Sequence, residues 1–244
     1  GSEMCIRDRT MATIAELLAS SLNALKQVQR GEDFTIIKSS DLSRTHIKRL
    51  VDNHFLKPII KGWYVVTDPR ATPGDSTAWY ASFWSFISRY ANERYGNEWC
   101  LSAEQSLSIY TGATIIPNQV LIRAPKGNDY MVPLIPPTSV FNLGAELPSK
   151  IDTNNPYNLN LYTLAEAIIV ATPTMYRNDA LTMRTALAMV HDSSDILKIL
   201  VDTGQTVRAG RVIGAFRNIG RTDMADEIAG TMKRMGYILS LIHI

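Results

Sequence analysis

Apolar residues recur at helical spacing near the start of the chain, and short apolar runs follow them. Residues 12–29 carry apolar side chains three and four positions apart, which predicts an amphipathic helix. The β-branched run FTIIK predicts a strand at 34–38. Ser40 or Ser43 then suits the cap of a further helical segment. We therefore expect helix, strand and a helix pair in this order.

The runs LKPII and WYVV flank a Lys-Gly pair that suits a tight turn, so they predict a β-hairpin. Helix, short strand, helix pair and hairpin is the order of a winged helix-turn-helix. The Pro- and Gly-rich segment DPRATPGD marks its end. We accordingly predict a winged helix-turn-helix domain over residues 11–70.

Aromatic residues at helical spacing dominate residues 76–95. Such a stripe can serve as a platform for stacking bases, but on a long helix it is more often core, and we expect core here. Ser102 with Gln105 forms a capping-box pattern. QVLIRAP, YMVPLIPP and SVFNL predict short strands, whose prolines favour edge strands or a small, twisted sheet. Residues 71–150 are thus expected to hold the aromatic helix and a small sheet.

Beyond residue 150 the pattern is helical again, beginning with a second capping-box pattern at Thr163 and Glu166. Four further segments follow, each about one helix long: NDALTMRTALAMVH, SSDILKILVDTG, VRAGRVIGAFRNIG and RTDMADEIAGTMKRMG. They predict a helical bundle over 151–238, packed on the small sheet. The expected fold class is α+β: an N-terminal winged helix-turn-helix, then a mixed domain with a small β-sheet and a C-terminal helical bundle.

The two ends of the chain are related to each other as nucleotide sequences. The C-terminal LSLIHI can be encoded by CTGTCTCTTATACACATC, whose reverse complement, read one base along, encodes the MCIRD of the N-terminal MCIRDR. Both ends resemble the translated ends of a transposon-based sequencing adapter. We therefore interpret residues 1–10 and 239–244 as adapter-derived and leave them out of the functional interpretation.

The composition is that of an ordinary soluble globular protein, with 45% hydrophobic and 20% charged residues and a net charge of +2. The sequence contains no run of about 18 apolar residues, so it predicts no membrane span. Of the two cysteines, Cys5 lies in the adapter-like segment, which leaves Cys100 without an internal disulfide partner. A single cysteine fits a reducing compartment, so we expect a cytoplasmic protein with Cys100 as a buried structural thiol.

Positive charge is concentrated in one short stretch. Residues 38–61 contain six basic and two acidic residues, an excess of four positive charges, so the remainder of the chain is slightly negative. Such asymmetry indicates a basic face directed at phosphate. The alternative is an ordinary solvated face.

Helical geometry assigns roles within this stretch. In a helix that starts near Ser43, the first turn holds Arg44 and Thr45, and these are the positions that reach base edges in a recognition helix. The predicted DNA-binding residues are those of this helix, together with two lysines for the phosphate backbone: Arg44, Thr45, Lys48, Arg49, Lys38 and Lys61.

No catalytic constellation is visible in the sequence. His46, His54 and His191 are scattered, and one cysteine cannot complete a zinc site, so we predict no metal and no cofactor. The glycine-flanked GAFRNIG contains Arg217, which suits an anion, but close helix packing is the favoured use. A phosphate-binding P-loop is also absent.

Several long strings together resemble a known group of proteins. LSRTHIKRLVDNHFLKPIIKGWYVV, GDSTAWYASFWSFISRYANERYGNEWCLSAEQSL, VLIRAPKG and AGRVIGAFRNIGR are similar to the N-terminal half of bacterial Fic-domain proteins, whose head resembles AbiEi-type antitoxins. Fic domains typically transfer AMP to a target hydroxyl through a histidine in an HPFxxGNGR loop. That loop is absent here, so the resemblance implies no catalytic residue in this chain and a catalytic domain downstream.

The resemblance thus implies an antitoxin-like regulatory head that binds double-stranded operator DNA and regulates its own transcription. The alternative is a protein-interaction module that docks or restrains a Fic domain or a toxin without binding DNA. DNA-binding winged helices often pair on two-fold sites, which makes a homodimer one of the expected assemblies.

Overall fold

The computed structural model describes residues 13–29, 35–72 and 74–239. The fold is mixed α+β, with several helices and three small sheets among these residues. They divide into two compact units: the first ends at Phe86 and includes Leu134–Pro136, and the second holds Ile87–Pro133 and the residues from Pro137 on. Apart from Leu239, the two segments interpreted as adapter-derived lie outside the described residues.

The first unit contains two helices and a three-stranded antiparallel sheet. The elements in chain order are α1 (Ile14–Gln29), β1 (Ile36–Lys38), α2 (Arg44–Asp52), β2 (Leu56–Ile60) and β3 (Trp63–Val66). The sheet order is β1-β3-β2, so β3 lies between the other two strands. The predicted helix, strand and hairpin are therefore present.

One part of the prediction for this unit is wrong: a single helix, α2, stands where a helix pair was expected. Residues 39–42 form turns instead of a first helix. The Asp41 carboxylate accepts a hydrogen bond from the Lys38 backbone N–H at 2.9 Å, and the Asp41 N–H donates to the Lys38 carbonyl at 3.0 Å. This side-chain turn competes with helix formation and leaves no room for a second helix before Ser43.

The two faces of the three-stranded sheet are both covered. Ile37 faces α1 and α2 and belongs to an apolar cluster with Leu25, Leu42, Ile47, Leu50 and Leu56. On the opposite face, the Trp63 ring meets Phe86 edge to face, with ring centroids 5.5 Å apart. Phe86 lies on α3 (Thr77–Tyr95), so α3 supplies the second layer of this unit.

The aromatic stripe of α3 is core, as predicted. Trp79, Phe83 and Phe86 are buried in the first unit and contact each other in edge-to-face pairs. Tyr90, further along the helix, is buried in the second unit, where its hydroxyl bonds the buried Asn142. Only Tyr80 among the aromatic residues of the stripe is exposed, so no stacking platform is formed.

A four-stranded sheet organises the second unit. Its strands are β4 (Cys100–Leu101), β5 (Gln119–Ala124), β6 (Tyr130–Pro133) and β7 (Ser139–Gly144), in the order β4-β5-β7-β6. β5 and β7 are parallel, and the other pairs are antiparallel. The proline-containing β6 lies at an edge, as expected. A separate pair joins β8 (Ile151–Asp152) to β9 (Leu161–Tyr162).

Glycine 127 follows β5 in the loop to β6. A Cβ atom at this position would lie 2.3 Å from the Leu143 carbonyl oxygen and 2.5 Å from the Gly144 nitrogen. Both atoms belong to the backbone of β7, which cannot move aside without breaking the ladder. The loop therefore crosses β7 at a distance that only glycine permits.

Helices form the remainder of the second unit. They are α4 (Ala103–Tyr110), α5 (Leu164–Val170), α6 (Pro173–Asn178), α7 (Ala180–Met189), α8 (Ser194–Thr203), α9 (Thr206–Asn218) and α10 (Thr222–Arg234). Their apolar faces share one buried cluster, which includes Ile168, Leu200 and Phe216. The predicted helices are present, and α6, begun by the Thr172 cap and Pro173, is additional. Within the described residues, no helix has the length and apolarity needed to cross a membrane.

Candidate nucleic-acid interface

Helix α2 begins with a side-chain cap. The Ser43 hydroxyl oxygen accepts a hydrogen bond from the His46 backbone N–H at 3.3 Å. Of the two serines proposed as caps, Ser43 is therefore the one used, and Arg44 becomes the first helical residue. The remaining free N–H groups of the first turn point away from the helix body, as at any helix start.

The two sides of α2 differ sharply in character. Ile47 and Leu50 are buried in the apolar cluster beneath the helix. Arg44, Thr45 and Lys48 are exposed on the other side. Arg44 and Lys48 are one turn apart, so their side chains extend from the same face. The helix thus presents two cations and a hydroxyl in its first two turns, with no acidic residue in the first turn.

Arg49 is placed differently from its neighbours. It is half-buried, and its Nη1 donates to the Leu17 carbonyl of α1 at 3.5 Å and to the Ser21 hydroxyl at 3.4 Å. The structure therefore groups Arg49 with the contact between α1 and α2, not with the exposed face that carries Lys48.

His46 contributes to the same contact between the helices. Its Nδ1 lies 2.9 Å from Ser21 Oγ, which in turn donates to the Leu17 carbonyl at 3.0 Å. Ser21 is fully buried, so its hydroxyl is the centre of a small polar network inside an otherwise apolar interface. The sequence gives His46 no evident role, and the available signal for this contact was the pair of serines at positions 20 and 21 of an amphipathic helix.

Lys61 occupies the turn between β2 and β3. It is exposed, and the next residue, Gly62, has a φ angle of +83°, which favours glycine. The Gly62 carbonyl accepts a hydrogen bond from the Ser39 N–H at 2.8 Å. This bond fastens the hairpin turn to the end of β1, so Lys61 extends from an anchored loop.

Lys38 ends β1 beside the same turn. Its Nζ lies 5.3 Å from the centre of the Trp63 ring, within range of a cation–π contact. Lys38 is half-buried, so it is less available than Lys61.

Lys57 and Asp75 are two further charged residues of the first unit. Lys57 is exposed on β2 and lies near Asp75, whose pKa is lowered mainly by hydrogen bonds from Thr77 and to a smaller extent by Lys57. Arg44, Lys48 and Lys61 form no ion pair with any residue that the structure describes.

The other residues considered for chemistry, Cys100 and Arg217, have surroundings that indicate a structural role. Cys100 is fully buried, and burial raises the pKa of its thiol to about 12, which opposes nucleophilic use. Arg217 of the GAFRNIG segment forms an ion pair with Asp226 at 2.9 Å. Across the described ranges, no group of three or more His, Cys, Asp or Glu side chains is arranged to hold a metal ion.

The described geometry brings Arg44, Thr45 and Lys48 together on one exposed helix face and places Lys61 on an anchored turn. Comparison of the sequence with protein-family models and with curated proteins finds no match.

Proposed function

We propose that the first unit is a winged-helix DNA-binding module, with α2 as the recognition helix and the β2–β3 hairpin as the wing. The observation that carries the proposal is the exposure of Arg44, Thr45 and Lys48 on one face of α2, opposite its buried face. Recognition helices place their first-turn residues against base edges in the major groove. Arginine can bond guanine with two hydrogen bonds, and threonine can meet a base edge or a thymine methyl group.

The arrangement of strands supports the same proposal. The chain order is helix, strand, helix and hairpin, and the strands form a three-stranded antiparallel sheet in the order β1-β3-β2. A strand before the proposed recognition helix and a hairpin after it are what the winged-helix proposal requires. The hairpin turn carries Lys61, which in this proposal contacts the phosphate backbone beside the groove that α2 enters. Lys38, stacked on Trp63, adds positive potential near the same turn.

Arg49 takes a positioning role in this proposal. Its bonds to Leu17 and Ser21 fix the orientation of α2 against α1, so its contribution to DNA binding is indirect. The DNA-contacting set is accordingly Arg44, Thr45, Lys48 and Lys61.

We further propose, on the resemblance to antitoxin-like heads of Fic-type proteins, that the module regulates transcription of its own gene. A Fic-type AMP-transferase domain or a toxin is the protein partner in this scheme. In this proposal the catalytic residues belong to the partner.

The test is DNA binding by the 244-residue chain, measured by fluorescence anisotropy over a series of salt concentrations. The probes are duplexes from the region upstream of the gene and a duplex of unrelated sequence. The double variant Arg44→Ala/Lys48→Ala should lose specific binding, and its slope of log K against log salt should fall by up to about two, because two positive charges no longer displace counterions from the DNA. The control is Arg177→Ala/Lys198→Ala, which removes the same charges from exposed positions on α6 and α8.

Salt-insensitive binding, or equal binding by the double variant and the parent chain, would overturn the proposal. If the chain instead captures a Fic domain or toxin through its helical bundle, and that capture is unaffected by the α2 variant, the protein-interaction alternative takes its place.

A further inference from the structure

A cleft in the second unit carries charges of both signs. Its volume is about 420 Å³, within the range of about 300–1,000 Å³ that is usual for small-ligand sites. β5 forms its floor, and the starts of α4 and α9, the helix α5 and the residues after β7 form its walls. Apolar side chains contribute to the lining, among them Leu121, Leu147 and Val170.

Arg123 lies on the floor of this cleft. Its Nη2 donates to the Glu146 carbonyl at 3.3 Å, whereas its Nε is buried without a hydrogen-bond partner among the described residues. A buried N–H group of a charged side chain is costly when it is left unsatisfied, so such a group calls for an acceptor. Arg208 of α9 lines the same cleft and bonds the Gln205 side chain at 2.6 Å.

Tyr162 lies close to these charges. It is buried except for about 6% of its surface and lines the cleft. Burial raises the pKa of its hydroxyl, Arg123 lowers that pKa, and Glu166 and Glu104 raise it. Tyr162, Arg123, Glu104 and Glu166 all line this cleft.

The carboxylates of the cleft are not neutralised by its arginines. Glu166 accepts a hydrogen bond from the Ser149 hydroxyl at 3.3 Å, and Glu104 accepts one from the Thr172 backbone N–H at 3.1 Å. In the part of the chain that the structure describes, no ion pair joins Arg123 or Arg208 to an acidic side chain. Arg123 and Arg208 therefore share one cleft with the half-buried Glu104 and Glu166 without forming ion pairs, and the exposed Glu146 lies at its edge.

The mixture of charges decides the class of ligand. A simple anion would meet the two half-buried carboxylates, and a simple cation would meet two guanidinium groups, so each would face repulsion inside a partly desolvated site. A ligand that carries both charges avoids both penalties. We propose that this cleft binds an α-amino acid with an apolar side chain. Its carboxylate faces the Arg123 guanidinium group and the Tyr162 hydroxyl, its ammonium faces Glu166, and its side chain contacts Leu147 and Val170.

The test is isothermal titration of the 244-residue chain with leucine, methionine and phenylalanine. For the amino acid that binds best, two analogues are titrated as matched controls, one lacking the ammonium group and one lacking the carboxylate. For leucine these are 4-methylpentanoate and 3-methylbutylamine. Each analogue should bind at least about tenfold more weakly, because it leaves one charged partner in the cleft uncompensated.

The variants Arg123→Gln and Glu166→Gln should each weaken binding by about tenfold or more. Arg177→Gln and Glu227→Gln change the same residue types at exposed positions of α6 and α10 and should leave binding unchanged. If Arg123→Gln does not fold, Glu166→Gln decides, since its side chain remains able to accept from Ser149.

Absence of binding by all three amino acids at about 10 mM would overturn the proposal. Equal binding of an analogue that lacks one charge, or binding that neither cleft variant weakens, would overturn it as well. None of these outcomes affects the proposed DNA-binding face, which lies in the other unit.

Discussion

Ser21 and His46 join the two helices of the first unit through a hydroxyl–imidazole contact of 2.9 Å. Ser21 also receives a hydrogen bond from Arg49, so two side chains of α2 converge on one buried oxygen of α1. The orientation of the proposed recognition helix thus depends on a polar group inside an apolar interface.

Replacing Ser21 with alanine should lower the free energy of unfolding by about 1–2 kcal/mol, because His46 and Arg49 lose their buried partner. Urea unfolding followed by circular dichroism measures the change. Ser20→Ala, at the exposed neighbouring position, is the matched control and should change stability by less than about 0.5 kcal/mol. Equal effects of the two substitutions would show that the network contributes nothing to stability.

Replacing Ser43 with alanine removes the N-cap of α2 and should cost about 1 kcal/mol of stability. Ser40→Ala is the control, because Ser40 is exposed and lies before α2; its hydroxyl bonds Asp41 at 3.2 Å. Both variants are compared by urea unfolding. A larger loss for Ser40→Ala than for Ser43→Ala would contradict the assignment of the cap.

Lys61→Ala and Arg44→Ala should affect DNA binding in different ways. Loss of Lys61 should weaken binding similarly on all duplexes and reduce the salt slope by about one, as expected for a phosphate contact. Loss of Arg44 should additionally reduce discrimination between duplexes, by about 1–3 kcal/mol at one base pair. Anisotropy titrations on the upstream and unrelated duplexes separate the two effects. Identical behaviour of the two variants would remove the distinction between wing and recognition helix.

Cys100 should resist alkylation by iodoacetamide in the folded protein at pH 8, and react once urea unfolds the chain. Burial raises its pKa from 9.0 to about 12, so almost no thiolate exists at pH 8. Because the folded pKa is the higher one, the stabilisation is complete below about pH 9 and is lost as the pH rises towards 12. Peptide mass spectrometry measures the reaction at Cys100 itself. Rapid modification under native conditions would contradict the buried position.

The sequence predicted the helices and strands of this protein better than the side-chain contacts between them. Apolar spacing identified α1, and the aromatic stripe of α3 was correctly expected to be core. The sequence prediction placed Arg49 and Lys48 on the same DNA-binding face because both are positively charged. A linear sequence does not show that these neighbouring helical residues point in different directions. Which of them turns towards α1 depends on the position of Leu17 and Ser21, about thirty residues away.

The two capping-box patterns show the same limit. Ser102 and Thr163 do cap α4 and α5 through their hydroxyl groups. The side chain of Gln105, however, bonds the backbone of β5 at Gln119 and Leu121, and that of Glu166 bonds Ser149. The side chains of Gln105 and Glu166, which the capping-box pattern assigns to the helix start, thus bond residues that are distant in the sequence. The cleft at Arg123 likewise gave no signal in the sequence, since its walls come from separate segments.

The close crossing at Gly127 has a consequence for recognising relatives of this chain. Any substitution there places a Cβ atom against the backbone of β7, so selection should tolerate none while the parallel pair of β5 and β7 is kept. Surface positions of the sheet carry no such constraint. In distant descendants, a glycine three residues after the end of β5 should therefore outlast most of the surrounding sequence as a marker of common ancestry.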